Sequence, residues 1–336
     1  MTNSHQIHIR ETDETFAVTE NEYIIDAAIK QEIMFPRYCR NGVCGSCKVT
    51  LVNGNVEMDE YRVTAMNKAE HGLNRILACR ARATSDCEIA FIPRDTMPRF
   101  THPVSEVTCR VRAIERATHD VKIIRLGVET GGPFVFTAGQ YAEVSFDGIA
   151  PRGLSIASRP GDEEIELHVR SVDGGELGNH VSNELKPGDA VKLNGPMGRA
   201  YLREVHNGAI IAVAGGIGLA PIKSIVDMTL TAGLRQDVHI YLGFRDEGDI
   251  YLEDHFSRMQ QRAPNVRVTI VLSEPSTATA RRTGLVSDAI AEDLAPLKGP
   301  RAYLAGPPAM IDAAMPVLQS IGVRRKNCFA DYLFSE

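Results

Sequence analysis

Three cysteines lie close together in this sequence, and a fourth follows further along the chain. Cys39, Cys44 and Cys47 form a C-x4-C-x2-C run, and Cys79 completes the set. Four thiolates at this spacing hold a plant-type [2Fe–2S] cluster, and the small residues between them let backbone N–H groups approach the negatively charged sulfides. The spacing therefore predicts these four cysteines as the ligands of one cluster.

Two other metal centres compete with this interpretation. A structural zinc site also uses four cysteines, but zinc ribbons use two C-x2-C knuckles, and only Cys44 and Cys47 make one here. A Rieske centre needs two histidines, and no Cys-x-His pair supplies them. The remaining cysteines match no ligand spacing and are interpreted as buried small hydrophobes: Cys87, Cys109 and Cys328.

A second group of residues has the chemistry to bind phosphates. Arg152-Gly153-Leu154-Ser155 offers a cation and a hydroxyl that can hold a phosphate and the edge of a flavin ring. His168-Val169-Arg170 follows, and then a glycine-rich turn, residues 174–179, enters a helix whose free N–H groups suit a pyrophosphate. The alternatives are a surface charge and a plain turn.

Two further turns connect a strand to a helix. Gly215, Gly216 and Gly218 follow a buried strand and open a helix with Pro221 in its first turn. This is the context of a dinucleotide-binding loop, although a tight turn without a ligand has the same pattern. A second turn, Gly306-Pro307, brings another helix N-terminus that can face a dinucleotide.

The elements around these motifs predict three domains. Residues 1–93 alternate short strands with one helix over 23–31, and the run 48–58 is predicted to be a hairpin across Asn53-Gly54-Asn55. Residues 94–103 are proline-rich and form a linker. Residues 104–205 alternate like an antiparallel barrel, and residues 206–336 alternate strands with helices like a doubly wound parallel sheet.

Composition excludes several functions. The formal net charge is −6, with no block of Lys or Arg, so a basic nucleic-acid footprint is missing. No apolar run approaches the ~20 residues of a membrane span, and residues 1–10 are polar, unlike a secretory signal. We therefore expect a cytoplasmic protein that binds neither nucleic acid nor membrane.

Taken in chain order, these motifs resemble the ferredoxin–NADP reductase superfamily, in particular its oxygenase reductases with an N-terminal ferredoxin domain. The resemblance implies a multidomain α+β and α/β fold: a β-grasp ferredoxin, a six-stranded antiparallel FAD-binding β-barrel and a doubly wound NAD-binding α/β domain. It also implies a [2Fe–2S] cluster, FAD and NADH as cofactors. Leu154 stands where this family usually has a Tyr.

The resemblance also assigns residues to the cofactors. It makes Arg152, Leu154 and Ser155 flavin contacts and Arg170 a pyrophosphate contact. The other residues that it places beside a flavin or a dinucleotide are His168, Val169, Gly175, Gly178, Asn179, Gly215, Gly216, Gly218, Pro221, Gly306, Pro307 and Phe334.

The three cofactors together imply a function. Nicotinamide delivers two electrons as hydride, a single cluster accepts one at a time, and a flavin converts between them. The final acceptor is then another protein: an oxygenase component, foremost that of a Rieske aromatic dioxygenase or demethylase, its small ferredoxin, or a diiron monooxygenase. Two alternatives stay open, a reductase for a sugar dehydrase and a redox-sensing subunit. We expect a monomer.

Cofactor choice is predicted from the end of the second strand of the nucleotide domain, where the adenosine ribose lies. There the strand runs into Arg245 and Asp246. An acidic group at this place accepts a hydrogen bond from the ribose 2′-hydroxyl of NADH and repels the 2′-phosphate of NADPH. Arg245 could bind a phosphate but has acidic neighbours, so we expect it to be paired or stacked on adenine.

Overall fold

A computed structural model describes residues 4–31, 33, 35, 42, 45, 47–62, 65–91, 102–172, 174–203 and 206–333. The chain forms two compact units, one covering residues 1–99 and the other residues 100–336. No described helix is long and apolar enough to cross a membrane.

The first unit has a β-grasp architecture. Its elements are β1 (Ser4–Ile9), β2 (Glu14–Thr19), α1 (Ile24–Lys30), β3 (Lys48–Asn53), β4 (Val56–Met58), α2 (Lys68–His71), β5 (Arg75–Leu77), β6 (Ala81–Ala83) and β7 (Cys87–Phe91). Five strands form one mixed sheet in the order β2-β1-β7-β3-β5. The helix α1 buries Ile24, Ile25, Ala27 and Ala28 in the unit's apolar core.

The predicted hairpin over residues 48–58 is wrong. Strand β3 pairs with β7 on one side and with β5 on the other, so both of its edges are occupied. Strand β4 pairs with β6 in a separate two-stranded sheet. The turn Asn53-Gly54-Asn55 therefore carries the chain from one sheet to the other.

The second unit begins with an antiparallel barrel. Its elements are β8 (Ser105–Arg116), β9 (Val121–Thr130), β10 (Tyr141–Ser145), β11 (Arg152–Ser155), β12 (Ile165–Arg170), α3 (Glu176–Asn183) and β13 (Ala190–Met197). The six strands follow the order β11-β10-β13-β8-β9-β12, and a bridge between Ile156 and Leu167 nearly closes the ring. The predicted six-stranded antiparallel barrel is confirmed.

The second unit ends in a parallel α/β domain. Its elements are β14 (Ile210–Gly215), α4 (Leu219–Thr231), β15 (Val238–Phe244), α5 (Glu253–Arg262), β16 (Val266–Leu272), β17 (Arg282–Thr283), α6 (Val286–Asp293), β18 (Arg301–Gly306), α7 (Pro308–Ser320) and β19 (Cys328–Tyr332). The strand order is β17-β16-β15-β14-β18-β19, and every pairing is parallel. The order reverses between β14 and β18, and ligands of open α/β sheets bind at such a switch point.

A shared apolar core joins the barrel to the α/β domain. Val121 and Ile123 of the barrel pack in the same buried cluster as Ile222 and Ile225 of α4. The carboxyl ends of β14 and β18 therefore have a fixed position relative to the barrel.

Candidate functional site

Two of the predicted cluster ligands lie side by side in the first unit. The sulfur atoms of Cys47 and Cys79 are 3.1 Å apart, too far for a disulfide at ~2.05 Å, and both residues are buried in apolar surroundings. Gly45 has φ +70°, and a Cβ there would stand 2.6 Å from the Ala65 carbonyl oxygen. The Gly45 backbone thus lies closer to Ala65 than a side chain would permit. Cys39 and Cys44 lie outside the described residues.

The first flavin motif occupies an outer strand of the barrel. Arg152 is exposed at the start of β11, whereas Ser155 at its end is half-buried. Leu154 is partly buried and packs against the apolar core of the barrel. A leucine in this place therefore contributes to packing, while the Arg and Ser place polar groups at the two ends of the strand.

The glycine-rich turn leads into helix α3 as predicted. Gly175 is the N-cap residue of the helix. Because glycine has no side chain to cap the first N–H groups of the helix, they can bind an anion. A Cβ at Gly178 would lie 2.5 Å from the Ser171 Cα, so this glycine is required for the helix to pack on the end of β12. Asn179 accepts a hydrogen bond from the Asn183 side chain at 2.7 Å.

The structure leaves no free side chain at two predicted flavin contacts. Val169 is 2% exposed and packs in the barrel core. His168 is also 2% exposed, and its ring nitrogens face the Tyr251 hydroxyl and the Glu166 carboxylate, each at 3.1 Å. Burial lowers the pKa of His168, which favours the neutral imidazole. The Val169 side chain therefore packs the barrel, and the His168 side chain links the barrel to the α/β domain through Tyr251. Only the backbone of these two residues is left for a ligand.

The glycines of the dinucleotide turn divide into two groups. Gly215 and Gly218 serve close packing, since a Cβ would lie 2.9 Å from Pro307 Cδ at the first and 2.0 Å from the Ala305 carbonyl oxygen at the second. Gly306 likewise has φ +151°, and a Cβ there would meet the Gly215 backbone at 3.0 Å. Gly216 differs: it has φ +52°, and the atom nearest to where its Cβ would stand is Arg170 Nη1 at 3.7 Å. Gly216 therefore presents its backbone towards open space at the switch point.

Two prolines stand at the starts of the flanking helices. Pro221 is buried in the first turn of α4, where its missing N–H removes no helical hydrogen bond. Pro307 caps α7, and Pro308 begins that helix. Both helices thus direct their N-terminal N–H groups to the carboxyl end of the neighbouring strands β14 and β18, at the switch point.

Arg170 is oriented by a neighbouring carboxylate. Its Nε donates to Asp120 Oδ2 at 2.6 Å, and its side chain is 37% exposed. Burial raises the pKa of Asp120, but hydrogen bonds from the Thr118 hydroxyl and from Arg170 outweigh it and lower that pKa below its usual value. Asp120 is not among the predicted site residues, because it lies fifty positions before Arg170 and belongs to no motif.

Asp246 is held by several donors at the end of β15. Its Oδ1 accepts the backbone N–H groups of Glu247 at 2.8 Å and Ser276 at 3.1 Å, and its Oδ2 accepts the Ser276 hydroxyl. These bonds, with that from the Ser276 hydroxyl the strongest, lower the pKa of Asp246 and keep the carboxylate ionised. Arg245 is 69% exposed and lies 4.0 Å from the Glu274 carboxylate, so it stands near an acid as predicted.

One titratable residue near the carboxyl end of the sheet was not predicted. Asp331 on β19 is 2% exposed, and its Oδ1 has no hydrogen-bond partner among the described residues. Burial raises the pKa of Asp331 to about 7. Phe334, which the resemblance places beside the flavin, lies outside the described residues.

The fold and these sites define a class of protein. A β-grasp unit with a thiolate pair, an antiparallel barrel with a glycine-rich helix start and a parallel sheet with a dinucleotide turn make an electron-transferring oxidoreductase. Three family models match accordingly: the 2Fe-2S iron-sulfur cluster binding domain over residues 7–84, the oxidoreductase FAD-binding domain over 108–218 and the oxidoreductase NAD-binding domain over 212–315. The protein thus combines a [2Fe–2S] cluster, FAD and a nicotinamide dinucleotide.

The chain belongs to the family of ferredoxin–NAD(P)+ reductase components. It is 38% identical over 311 residues to the reductase component of the naphthalene 1,2-dioxygenase/salicylate 5-hydroxylase systems of a Ralstonia species, covering 93% of each chain. It is 32% identical to the propane 2-monooxygenase reductase component of a Gordonia species, covering 98% of this chain and 97% of the relative. A solved cytochrome P450 reductase from Amycolatopsis is 28% identical, with a TM-score of 0.76 and 98% of each chain covered.

Proposed function

We propose that this chain is the NADH-dependent reductase component of an oxygenase system and passes electrons to the oxygenase or to its small ferredoxin. The observation that carries the proposal is the thiolate pair, Cys47 and Cys79, in one chain with a barrel and a dinucleotide turn. A flavin supplies the conversion of a two-electron hydride into single electrons, and a one-electron centre is needed only when the acceptor takes electrons singly.

The chain's own residues bind and orient the cofactors. Cys39 and Cys44 join Cys47 and Cys79 as cluster ligands, and the N-terminus of α3 holds the flavin phosphates with Arg152 and Ser155. The N–H groups at the start of α4 and the guanidinium of Arg170 hold the nicotinamide dinucleotide at the switch point. Electron transfer needs no acid–base residue, because the protein contributes the position and the electrostatic environment of the cofactors.

The partner is proposed from the relatives. Two of them serve a naphthalene dioxygenase system and a propane monooxygenase, so related reductases serve different oxygenases. The higher identity to the dioxygenase reductase favours an aromatic dioxygenase or demethylase of the Rieske type for this chain. We also propose that it acts as a cytoplasmic monomer, for which light scattering should give a mass near 36.8 kDa plus cofactors.

One variant tests the electron path. Replacing Cys47 with Ala should abolish NADH-dependent reduction of cytochrome c, because the cluster loses a ligand. Reduction of ferricyanide should persist, since ferricyanide takes electrons from the flavin directly. The matched control is Cys87→Ala, a buried free cysteine in the same unit whose thiol contacts the Asn55 and Ser85 carbonyls. Loss of both activities in a Cys47→Ala protein that keeps its FAD would contradict this electron order.

The partner is tested by reconstitution. Purified protein, NADH, O2 and the oxygenase component of an aromatic dioxygenase system should oxidise an aromatic substrate with coupled NADH consumption. Turnover with a sugar dehydrase instead would reject the oxygenase assignment and keep the reductase. Slow cytochrome c reduction by fully loaded protein would favour a redox-sensing subunit over both.

A further inference from the structure

Within the described part of the chain, Arg170 uses only the Nε end of its guanidinium for hydrogen bonding. Its Nε is bound to Asp120 Oδ2 at 2.6 Å, and among the described residues its two terminal amino groups make no hydrogen bond. Nη1 lies 3.7 Å from the place where a Cβ on Gly216 would stand. The free end of the cation therefore faces the dinucleotide turn of the α/β domain, although Arg170 itself ends a strand of the barrel.

Hydrogen bonds within the protein itself hold Asp120 in place. The Thr118 hydroxyl donates to Asp120 Oδ1 at 2.8 Å, and the Asp120 carbonyl accepts the Ser171 N–H at 2.7 Å. The Thr118 oxygen also accepts the N–H of Val121 at 3.0 Å, which closes the turn between β8 and β9. The turn is thus attached to β12 immediately beside Arg170, and the carboxylate has a defined position.

We propose that Asp120 is a positioning residue that fixes Arg170 by its Nε, so that the terminal amino groups bind the pyrophosphate of the nicotinamide dinucleotide. This inference rests on the proposed function and names a residue that orients its nucleotide site. An unrestrained arginine loses much side-chain entropy when it binds a ligand. A guanidinium fixed beforehand avoids this loss, and the ligand binds more tightly as a result.

The hydrogen-bond geometry favours a role in which Asp120 positions Arg170 over one in which it withholds Arg170 from a ligand. A carboxylate that withheld the cation from a ligand would take the terminal amino groups, which form the fork that matches phosphate oxygens. Asp120 binds the Nε side and leaves the Nη1 end directed at Gly216. Two opposite outcomes follow for removal of Asp120: weaker dinucleotide binding if it positions Arg170, and tighter binding if it competes for it.

The test uses the full, FAD-loaded chain and three probes: NAD+, ADP-ribose and AMP. Calorimetry should give a roughly tenfold weaker Kd for NAD+ and ADP-ribose with Asp120→Ala, which corresponds to ~1.4 kcal/mol. AMP, which keeps only one of the two phosphates, should lose less affinity. Asp120→Asn keeps an oxygen that accepts the Nε–H and should lose less. In turnover, the KM for NADH should rise by a similar factor with kcat unchanged.

A double-mutant cycle tests the link between the two residues. If Asp120 acts through Arg170, the double variant Asp120→Ala/Arg170→Ala should bind ADP-ribose no more weakly than Arg170→Ala alone. The control is Glu129→Ala, which removes the partner of Arg110 elsewhere on the barrel, where the pair is bonded at 3.0 and 2.7 Å. This variant should leave all three Kd values unchanged.

Several results would overturn the proposal. These are tighter or unchanged ADP-ribose binding with Asp120→Ala, additive losses in the double variant, an equal loss of AMP binding, or loss of FAD from the Asp120 variants. The last result would assign Arg170 to the flavin instead. Failure of the wild-type protein to bind NAD+ and AMP at all would reject the proposed function itself, and so the two failures are distinguishable.

Discussion

Asp246 is a fixed and ionised carboxylate at the end of β15. Its Oδ1 accepts the backbone N–H groups of Glu247 and Ser276, and its Oδ2 accepts the Ser276 hydroxyl. It also forms a capping box with Asp249, whose carboxylate accepts the Asp246 N–H at 3.1 Å. These bonds hold the carboxylate in place and in its charged form, where the adenosine ribose of a dinucleotide is expected.

This arrangement predicts a preference for NADH over NADPH of roughly ten- to a hundredfold in kcat/KM, because the 2′-phosphate would approach a fixed negative charge. Asp246→Ser should shift the ratio towards NADPH. The matched control is Asp237→Ser, which removes an exposed carboxylate just before the start of the same strand and should leave the ratio unchanged. A wild-type preference for NADPH would show that Asp246 does not read the ribose.

Asp331 predicts a pH-dependent stability. Its folded-state pKa of about 7 lies above the ordinary aspartate value of 3.8, so the native state binds the proton more tightly than the unfolded state. Stability from this group is therefore complete at low pH and falls as pH rises from about 4 to about 7. Asp331→Asn should raise Tm relative to wild type at pH 8 and much less at pH 5.

This effect is on the order of 4 kcal/mol at pH 8, at ~1.4 kcal/mol for each pKa unit. Differential scanning fluorimetry of both proteins from pH 5 to pH 8 measures it. Asp288→Asn, which changes an exposed carboxylate on α6, should give parallel curves for variant and wild type. A constant Tm difference between Asp331→Asn and wild type across this range would contradict the raised pKa.

At the scale of elements, helix α4 is attached to the barrel by a partly buried ion network. Lys223 lies 3.5 Å from the Glu166 carboxylate of β12 and 3.2 Å from Asp227, and it donates to the Ala157 carbonyl at 3.3 Å. All three charged side chains are 12 or 13% exposed. Burial raises the pKa of Glu166, but the His168 hydrogen bond and the nearby cations outweigh it and lower that pKa to about 2.

Lys223→Met should therefore destabilise the second unit by about 2–4 kcal/mol, because two poorly solvated carboxylates would lose the lysine that they share. Arg125, 3.7 Å from Glu166, and His255, 2.8 Å from Asp227, would remain beside them. The expected readout is a lower unfolding midpoint of the unit, monitored by release of FAD fluorescence. Lys192→Met is the control, since Lys192 pairs with Glu106 at 3.6 Å on the surface, with both side chains more than 60% exposed. Such exposed pairs contribute ~0–1 kcal/mol. Equal midpoints for both variants would refute the argument.

At the scale of the whole molecule, the second unit has its own apolar cores. The barrel core and the core shared by the barrel and the α/β domain contain only residues of that unit. A chain of residues 102–336 should therefore fold, bind FAD and reduce ferricyanide with NADH. It should fail to reduce cytochrome c efficiently or to support the partner, because it lacks the cluster. A fragment that stays insoluble under varied conditions would mean that residues 1–101 are needed for folding.

Much of this protein could be predicted from the sequence, because its strongest signals are local. Cysteine spacing, a strand followed by glycines and a helix, and the alternation of strands with helices each occupy a short stretch of chain. The helix predicted over residues 23–31 spans Ile24–Lys30, within one residue at each end. Local hydrogen bonding and side-chain periodicity determine such elements, so nearby residues are sufficient to predict them.

Only the tertiary structure decided which groups meet. The hairpin over residues 48–58 failed because β3 finds better partners in β5 and β7, which are distant in sequence. His168 and Val169 lie in a ligand-binding motif yet are buried by packing, whereas Asp120 lies in no motif and holds Arg170. Cysteine spacing predicted the cluster, and the family resemblance carried by the flavin and dinucleotide motifs implied FAD and NADH. The orientation of Arg170 towards Gly216 depends on how two domains pack, and no local pattern encodes that contact.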